Sequence, residues 1–353
     1  MRFDRIKKLQ KKLNLPYFTD DSSELIYLCG YKGSFGALLV LEHDFVFFTD
    51  SRYYGEYKDI FGKNIYQVKN SLINGLKEFV KKEKIKELKI NAKRVTYDTY
   101  LNIKKELPDT ELITDNETVM SMRVLKDRTE IQKIKKAITI AEDAFLYIIK
   151  FLKPGISERD AAVELEYVLK LKGALDTAFK PIILFGERSA FPHGVPSHEV
   201  KLQHGHVVLI DMGANFENYN SDMTRTFCFG KIPQGFKEIY KIVLEAQLRA
   251  FNAIKPGVDV NHVDKAARDY ISQNKLGEYF QHGLGHGIGI EVHEQPRISY
   301  LSKGKLKTGM VFSNEPGVYL PGKFGIRIED MVVLRSESPQ WLTDLPKQKI
   351  ICI

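Results

Sequence analysis

The sequence predicts an α+β protein of two domains, a small α/β domain at residues 1–122 and a larger, duplicated α+β domain at residues 123–353. Three observations support this division. A chain of 353 residues is long enough for two separate cores. A polar segment rich in turn formers, Asp109–Glu117, precedes the boundary. Beyond it, Lys-Pro-Gly occurs at 153–155 and again at 255–257, each time between two helical patterns.

Within the first domain, helical and extended segments alternate. Helices are expected at Arg5–Leu13, Ser71–Lys84 and Thr96–Lys105, and strands at Leu25–Cys29, Gly36–Leu41, Phe45–Thr49 and Glu87–Asn91. This mixture is typical of an α/β domain.

A long amphipathic helix opens the second domain. Asp127 or Thr129 can cap it, and apolar residues recur at helical spacing from Ile131 to Ile148. The first Lys-Pro-Gly then ends it.

A further helix is expected after each Lys-Pro-Gly, the first at Ala161–Lys172 and the second at Val263–Gln273. Gly173 and Gly277 end these helices, and strand-like segments follow both. The repeat predicts two related α+β halves around one central sheet.

The composition limits the classes of function. Lysines in the first half alternate with apolar residues and acids at helical spacing, so the net charge of +8 indicates solvated helix faces and no nucleic-acid partner. No apolar run is long enough to cross a membrane, and the charged Met1–Arg5 segment does not resemble a signal peptide. Three widely spaced cysteines form no disulfide framework, and we therefore expect a cytoplasmic protein.

Two aspartates lie in apolar, strand-like segments. Asp211 interrupts His206–Gly213, and Asp222 lies in Tyr219–Phe227. A hairpin turn at 213–219 would place both carboxylates on one face of neighbouring strands. Each would then raise the pKa of the other unless a cation lay between them. The alternatives are an Asx-turn at Asp211 and an exposed position for one of the pair.

Three of the nine histidines fall within His282–His293, among four glycines. Glycine allows backbone and ligand to approach closely, and histidine is the commonest metal ligand. The segment predicts a metal or substrate site, with a solvated loop as the alternative.

Two glutamates extend the set. Glu315 ends an apolar stretch before Pro-Gly, and Arg327 and Glu329 share one face of an extended strand while Ile328 packs on the other. A surface Arg–Glu pair is the alternative for the last two. Four carboxylates and a histidine at strand ends form an oxygen-rich set that suits a pair of divalent ions such as Mn²⁺, Co²⁺ or Zn²⁺.

These segments resemble a known family. LIDMG, NSDMTRTF, HGLGHGIGIEVHE, NEPGVYLPG and GIRIED, in this order, are similar to the pita-bread metallopeptidases, specifically the prolidase and aminopeptidase P branch. ELIYLCGYKGSFGALLV and FFTDSRYYGEY resemble the creatinase/prolidase-type N-terminal domain, so the likeness covers nearly the whole chain. The resemblance implies a pita-bread catalytic domain at 123–353 behind a creatinase/prolidase-type domain at 1–122.

The same resemblance assigns a dinuclear metal site. Its five ligands would be Asp211, Asp222, His286, Glu315 and Glu329, with Asp222 and Glu329 bridging the two ions. Mn²⁺ is the expected metal, with Co²⁺ or Zn²⁺ as alternatives.

Other positions are assigned to substrate and catalysis. His193, His293 and Glu315 are the expected catalytic residues, and the expected substrate-binding residues are His282, Arg297, Phe179 and Arg327. Arg297 lies where prolidases hold the substrate carboxylate, and Phe179 resembles an aromatic of the proline pocket. Two departures from the family, Lys180-Pro181 and Ser313-Asn314, are expected to touch no metal ligand and to affect substrate preference alone.

The expected reaction is hydrolysis of an Xaa-Pro bond in a short peptide. In this mechanism a hydroxide held between two cations roughly 3.5–4 Å apart attacks the carbonyl carbon. His193 and His293 stabilise the oxyanion or the leaving group, and Glu315 carries the proton from water to the proline nitrogen. A homodimer is implied by the resemblance.

The chain length and Arg297 favour an Xaa-Pro dipeptidase, and an aminopeptidase P acting on longer peptides is the first alternative. Methionine aminopeptidase does not usually carry an N-terminal domain of this kind. A non-catalytic pita-bread binding module, or a metal-free creatinase-like hydrolase, would lack metal ligands, whereas all five are present here.

Overall fold

A computed structural model describes residues 3–353, so Met1 and Arg2 of the charged N-terminal segment lie outside the described residues. The chain separates into two compact units that meet between Arg123 and Val124. Among the described residues, no helix is long and apolar enough to span a bilayer.

The first unit contains one mixed sheet covered by helices. Its helices are α1 (Asp4–Gln10), α2 (Ser22–Cys29), α3 (Ser51–Phe61), α4 (Leu72–Lys82), α5 (Tyr97–Glu106) and α6 (Thr118–Val124), the last ending at the boundary. Its strands are β1 (Tyr17–Thr19), β2 (Gly36–Val40), β3 (Phe45–Thr49), β4 (Ile65–Gln67), β5 (Glu87–Ile90) and β6 (Glu111–Thr114). They are ordered β4-β3-β2-β1-β5-β6, with parallel pairs β3–β4, β1–β5 and β5–β6.

Local capping determines several of these elements. Ser71 and Thr96 cap α4 and α5 by accepting hydrogen bonds from the amides of Asn74 and Thr99, and the two expected helices are therefore confirmed. Leu76, Val80 and Ile103 of these helices pack in one core cluster with Phe48 and Leu88 of the sheet.

One expectation for this unit is wrong. Leu25–Cys29 belongs to helix α2, because Asp21 caps the helix at the Glu24 amide and Gly30, with φ of 74°, ends it. The polar segment Asp109–Glu117 does precede the division between the two units, and it also contains β6, which pairs with β5.

The second unit begins with the long helix expected from the sequence. Asp127 and Glu130 form a reciprocal capping box at its N-terminus. The apolar stripe from Ile131 to Ile148 is buried. The helices of the unit are α7 (Arg128–Phe151), α8 (Glu158–Leu171), α9 (Phe236–Ala253) and α10 (Val260–Gln273).

The strands of the second unit lie in two successive groups. The first group is β7 (Asp176–Thr177), β8 (Ile182–Phe185), β9 (Val207–Met212), β10 (Ala214–Phe216), β11 (Tyr219–Asn220) and β12 (Met223–Cys228). The second group is β13 (Gly285–Gly287), β14 (Glu294–Ile298), β15 (Val311–Asn314), β16 (Gly317–Leu320), β17 (Phe324–Arg327), β18 (Asp330–Leu334) and β19 (Pro339–Trp341).

The two halves of this unit repeat the same local bonds. The Gly155 amide donates to Leu202 O at 2.9 Å, and the Gly257 amide donates to Leu306 O at 2.8 Å. Both glycines have a left-handed backbone, with φ of 86° and 83°. The antiparallel pair β9–β12 follows the first copy and β15–β18 the second, which agrees with a duplicated α+β architecture.

The halves do not share one central sheet, contrary to expectation. Among the described residues, β12-β9-β8 and β14-β13-β15-β18-β19 are separate ladders. They meet instead through side chains and through a bond from the Glu329 amide to Thr224 O, at 3.2 Å. This junction brings the ends of β12 and β18 together.

Candidate metal centre

Two antiparallel strand pairs bring the predicted carboxylates together. Asp211 in β9 lies opposite Thr224 in β12, so Asp222 lies two residues away on the same face. The expected hairpin is present, with the short strands β10 and β11 inserted in its connection. Glu315 and Glu329 directly follow and precede the last pair of the β15–β18 ladder, Asn314 opposite Asp330.

Three of the predicted ligands form a compact group. Asp222, His286 and Glu329 each offer a ligand atom within 4.8 Å of the others. His286 Nε2 is 3.5 Å from Asp222 Oδ2 and 3.4 Å from Glu315 Oε1. Asp211 raises the pKa of Asp222, Glu315 and Glu329 through its charge, so it belongs to the same electrostatic cluster.

The acids of this cluster oppose one another's ionisation. Burial, followed by the charges of neighbouring acids, raises the pKa values of Asp222 and Glu329 well above their ordinary range. Burial also raises the pKa of Glu315 to about 7, against the opposing effect of Arg327. Without a cation, such a cluster holds protons near neutral pH.

The donor atoms fit divalent metal ions. Asp211 Oδ1, Asp222 Oδ1 and Glu329 Oε1 are buried and accept no hydrogen bond within the described part of the chain. Buried oxygens without a partner are costly unless a cation binds them. His286 Nδ1 lies 3.1 Å from Gly287 O, which assigns the ring proton to Nδ1 and leaves the Nε2 lone pair for a metal.

Thr224 and Arg327 hold two of the acids. The Thr224 hydroxyl donates to Glu329 Oε2 at 2.7 Å and accepts from Arg327 Nε at 3.0 Å. Arg327 NH2 donates to Asp211 Oδ2 at 2.6 Å, and NH1 donates to Tyr319 Oη at 2.7 Å. Arg327, expected to bind substrate, is thus buried among protein groups. Sequence reasoning missed Thr224, although its alternation with Asp222 along one strand face could have indicated it.

The three predicted histidines lie around the cluster in different ways. The His293 ring is 4.4 Å from the His286 ring. His282 Nε2 lies 2.9 Å from Tyr319 Oη, and burial, followed by the Arg327 charge, lowers the pKa of His282 to about 3. His193 is exposed. A positive charge on its ring lowers the pKa values of His282, His293 and Glu315, which indicates that it lies near them. Tyr319 was not predicted from the sequence.

Arg297 and Phe179 occupy positions beside the cluster. Arg297 in β14 pairs with His286 in the strand register, so both side chains lie on one face. Arg297 is exposed. The partly buried Phe179 ring packs against Gly213, where an added Cβ would lie 3.0 Å from its Cε1 atom.

Ser313 corrects one expectation. Its hydroxyl accepts from the His286 amide and donates to Glu315 Oε1, both at 3.0 Å, so this departure from the family does touch predicted ligands. Ser313 precedes Glu315 by two residues and therefore faces the same side. Gly285 is required opposite it, because an added Cβ would lie 2.1 Å from Ser313 O.

Comparisons with known proteins give a consistent result. The profile of Metallopeptidase family M24 matches residues 132–336, and that of the Creatinase/Prolidase N-terminal domain matches residues 4–125. An Xaa-Pro dipeptidase of Pyrococcus horikoshii is 41% identical over 268 residues, which are 76% of this chain and 76% of the relative.

Solved structures agree over the whole length. An X-Pro aminopeptidase from Thermotoga maritima is 38% identical with a TM-score of 0.92, covering 98% of this chain and 100% of that one. An Xaa-Pro dipeptidase from Bacillus anthracis is 35% identical with a TM-score of 0.95, covering 100% of both chains. These likenesses confirm the resemblance and the fold class expected from the sequence.

Proposed function

The chain belongs to metallopeptidase family M24, and on that premise we propose that it is an Xaa-Pro dipeptidase, which hydrolyses the bond before proline. The observation that carries the proposal is a largely buried group of four carboxylates and a histidine, in which three oxygens accept no hydrogen bond from the described residues. The names of the Pyrococcus horikoshii and Bacillus anthracis relatives support the same substrate.

Membership of the family implies divalent metals. We propose that two ions per chain would be held by Asp211, Asp222, His286, Glu315 and Glu329. The oxygen-rich donor set with one imidazole favours Mn²⁺, with Co²⁺ or Zn²⁺ as alternatives. When bound, such a pair of ions lowers the pKa of the attacking water and polarises the scissile carbonyl.

The chain's own side chains supply the remaining steps. Glu315 takes the proton of the attacking water and delivers it to the proline nitrogen as the C–N bond breaks. His293, beside His286, and His193 donate hydrogen bonds to the oxyanion or the leaving group. Arg327 and Thr224 keep Asp211 and Glu329 oriented, and the hydrogen bond between His282 and Tyr319 supports Arg327.

Two residues favour a dipeptide substrate. The exposed Arg297 shares a strand face with His286, so its guanidinium can bind the free carboxylate of a C-terminal proline. Phe179 beside Gly213 offers an apolar surface to the proline ring. Because proline lacks an N–H, a site that recognises its ring and carboxylate replaces the backbone contact that other peptidases use.

An Xaa-Pro aminopeptidase is the second candidate, because the Thermotoga maritima structure carries that name. A length series separates the two: Xaa-Pro, Xaa-Pro-Yaa and longer peptides are incubated with chelated protein to which Mn²⁺ or Co²⁺ is added back. The dipeptidase cleaves Xaa-Pro alone, and an aminopeptidase cleaves the longer peptides. Absence of metal-dependent cleavage of any of them would exclude both and favour a binding module.

We also propose a cytoplasmic homodimer with its catalytic domain at residues 123–353 and a separate N-terminal domain at residues 1–122. The resemblance to prolidases supports the dimer, and the three free cysteines suit a reducing compartment. Light scattering on the purified protein measures the oligomer, and a monomeric mass would reject this part of the proposal.

A further inference from the structure

A short turn between β13 and β14 carries His293. The Gly289 amide donates to Glu291 O at 3.0 Å, and the Glu291 amide donates to Glu294 Oε1 at 3.1 Å. The Asn220 amide donates to Gly289 O at 2.8 Å, which joins the start of the turn to β11. The position of His293 therefore depends on the bonds that shape residues 289–294.

A buried lysine holds the other end of this turn. Lys126 Nζ is 3.0 Å from Glu294 Oε2, and the two side chains are only 1% and 6% exposed. The Lys126 amide donates to Gly309 O at 2.8 Å, so the backbone of the lysine is fixed as well. The Glu294 carboxylate thus accepts from the turn through Oε1 and from Lys126, 168 positions earlier in the sequence, through Oε2.

The packing around this carboxylate is tight. An added Cβ at Gly289 would lie 2.8 Å from Glu294 Oε1, so the carboxylate lies directly against the backbone of the turn. A buried ion pair contributes little more to stability than apolar residues of the same volume would. Its clearest contribution is geometric, because it fixes where the carboxylate, and with it the turn, can lie.

We propose that Lys126 is a positioning residue for His293: through Glu294 it fixes the turn that keeps the His293 imidazole beside His286. The role of His293 rests on the proposed function, whereas the ordering of the turn can be measured without any activity.

The test is a double-mutant cycle between Lys126→Met and His293→Ala, with Lys126→Arg as the conservative variant. Alone, Lys126→Met lowers kcat for the dipeptide about 10- to 100-fold with little change in KM, because the imidazole is misplaced. Lys126→Arg restores most of the rate. In the His293→Ala background, Lys126→Met has no further effect on kcat. An equal loss in both backgrounds would overturn the proposal.

Hydrogen exchange gives a second readout on the metal-free protein. Lys126→Met speeds exchange at residues 289–294 and leaves β9 protected, and Lys305→Met, which breaks an exposed Lys–Asp pair, changes neither. Unchanged exchange in the turn would refute the role of Lys126 even if the wild type cleaves no Xaa-Pro peptide, an outcome that would reject the proposed function separately. If Lys126→Met does not fold, the charge-neutral pair Lys126→Met with Glu294→Gln replaces it in both measurements.

Discussion

Glu329 and Asp330 are adjacent and equally buried, yet their surroundings are opposite. Glu329 Oε2 accepts one hydrogen bond from Thr224, and Oε1 accepts none from the described residues. Asp330 Oδ1 accepts from Arg225 at 2.6 Å, while Oδ2 accepts from Lys347 at 2.6 Å and from Gln247 at 2.9 Å.

The difference shows that burial alone does not mark an acid as a candidate metal ligand. A buried acid surrounded by cations and amides is a structural group, whereas one that lacks such donors needs a metal ion or a proton. The structural acid also supports its neighbour. Arg225 donates to Glu329 O at 2.7 Å, and Gln247 donates to Asn314 O at 3.0 Å, next to Glu315.

The largest expected effect comes from Glu329→Gln, which removes a charge from the candidate centre and keeps its shape. We expect kcat with Mn²⁺ to fall about 10³-fold or more. The chelated protein should unfold at no lower urea concentration, because repulsion between the acids is relieved. Peptidase assays and urea titrations measure both quantities, and a variant that keeps its activity would remove Glu329 from the ligand set.

Asp330→Asn should give the converse result. It leaves Arg225 and Lys347 buried without their countercharge, so we expect the free energy of unfolding of the chelated protein to fall by about 3–5 kcal/mol. Asp269→Asn is the matched control, because its partner Lys265 is exposed and the pair contributes little. Equal urea midpoints for the two variants would contradict the structural role that we assign to Asp330 in contrast to the candidate ligand Glu329.

Thr224→Val tests whether the Thr224 hydroxyl, which donates a hydrogen bond to Glu329, orients that carboxylate. The change keeps the shape but removes the donor to Glu329 and the acceptor for Arg327, so Mn²⁺ affinity should fall about 10- to 100-fold. Thr226→Val serves as control, since the Thr226 hydroxyl bonds the backbone of Arg327 instead. Calorimetric titration with Mn²⁺ compares the variants, and a similar loss in both would indicate general destabilisation.

Proton release on Mn²⁺ binding tests the protonation of the candidate ligand acids in the wild-type protein. The raised pKa values of Asp222 and Glu329, and that of Glu315 at about 7, mean that the metal-free cluster holds protons that a metal must displace. Mn²⁺ affinity should therefore rise between pH 6 and pH 8, by up to about tenfold per pH unit for each proton displaced. Titrations in two buffers of different ionisation enthalpy count the protons, and binding without release would contradict the raised pKa values.

The sequence was sufficient to bring four carboxylates and a histidine into one hypothesis, because each interrupts a short apolar strand or a glycine-rich segment. Sequence reasoning made a wrong prediction where the same local pattern fits both a strand and a helix. The apolar run at Leu25–Cys29 fits a strand as well as a helix, and only the cap at Asp21 and the left-handed Gly30 decide for the helix.

Other features depend on contacts that no local pattern can indicate. Lys126 meets Glu294 across 168 positions, and Arg225 meets Asp330 across 105. Ser313 appeared to be a neutral departure from the family until its hydroxyl was found between His286 and Glu315. Tyr319 likewise could not be predicted, because its contact with the site is a hydrogen bond from Arg327 that only the folded structure reveals.

Strand β12 supplies both Thr224, which donates to the candidate ligand Glu329, and Arg225, which donates to the structural acid Asp330. Because successive residues of a strand point to opposite faces, one residue inserted at the start of β12 would move the Thr224 and Arg225 side chains each to the opposite face. A guanidinium would then lie on the face of the candidate ligand acids, and a hydroxyl would replace the cation beside Asp330. The position of each residue along this strand therefore decides which acid receives the hydroxyl and which receives the guanidinium, and we expect a length change here to disrupt both acids.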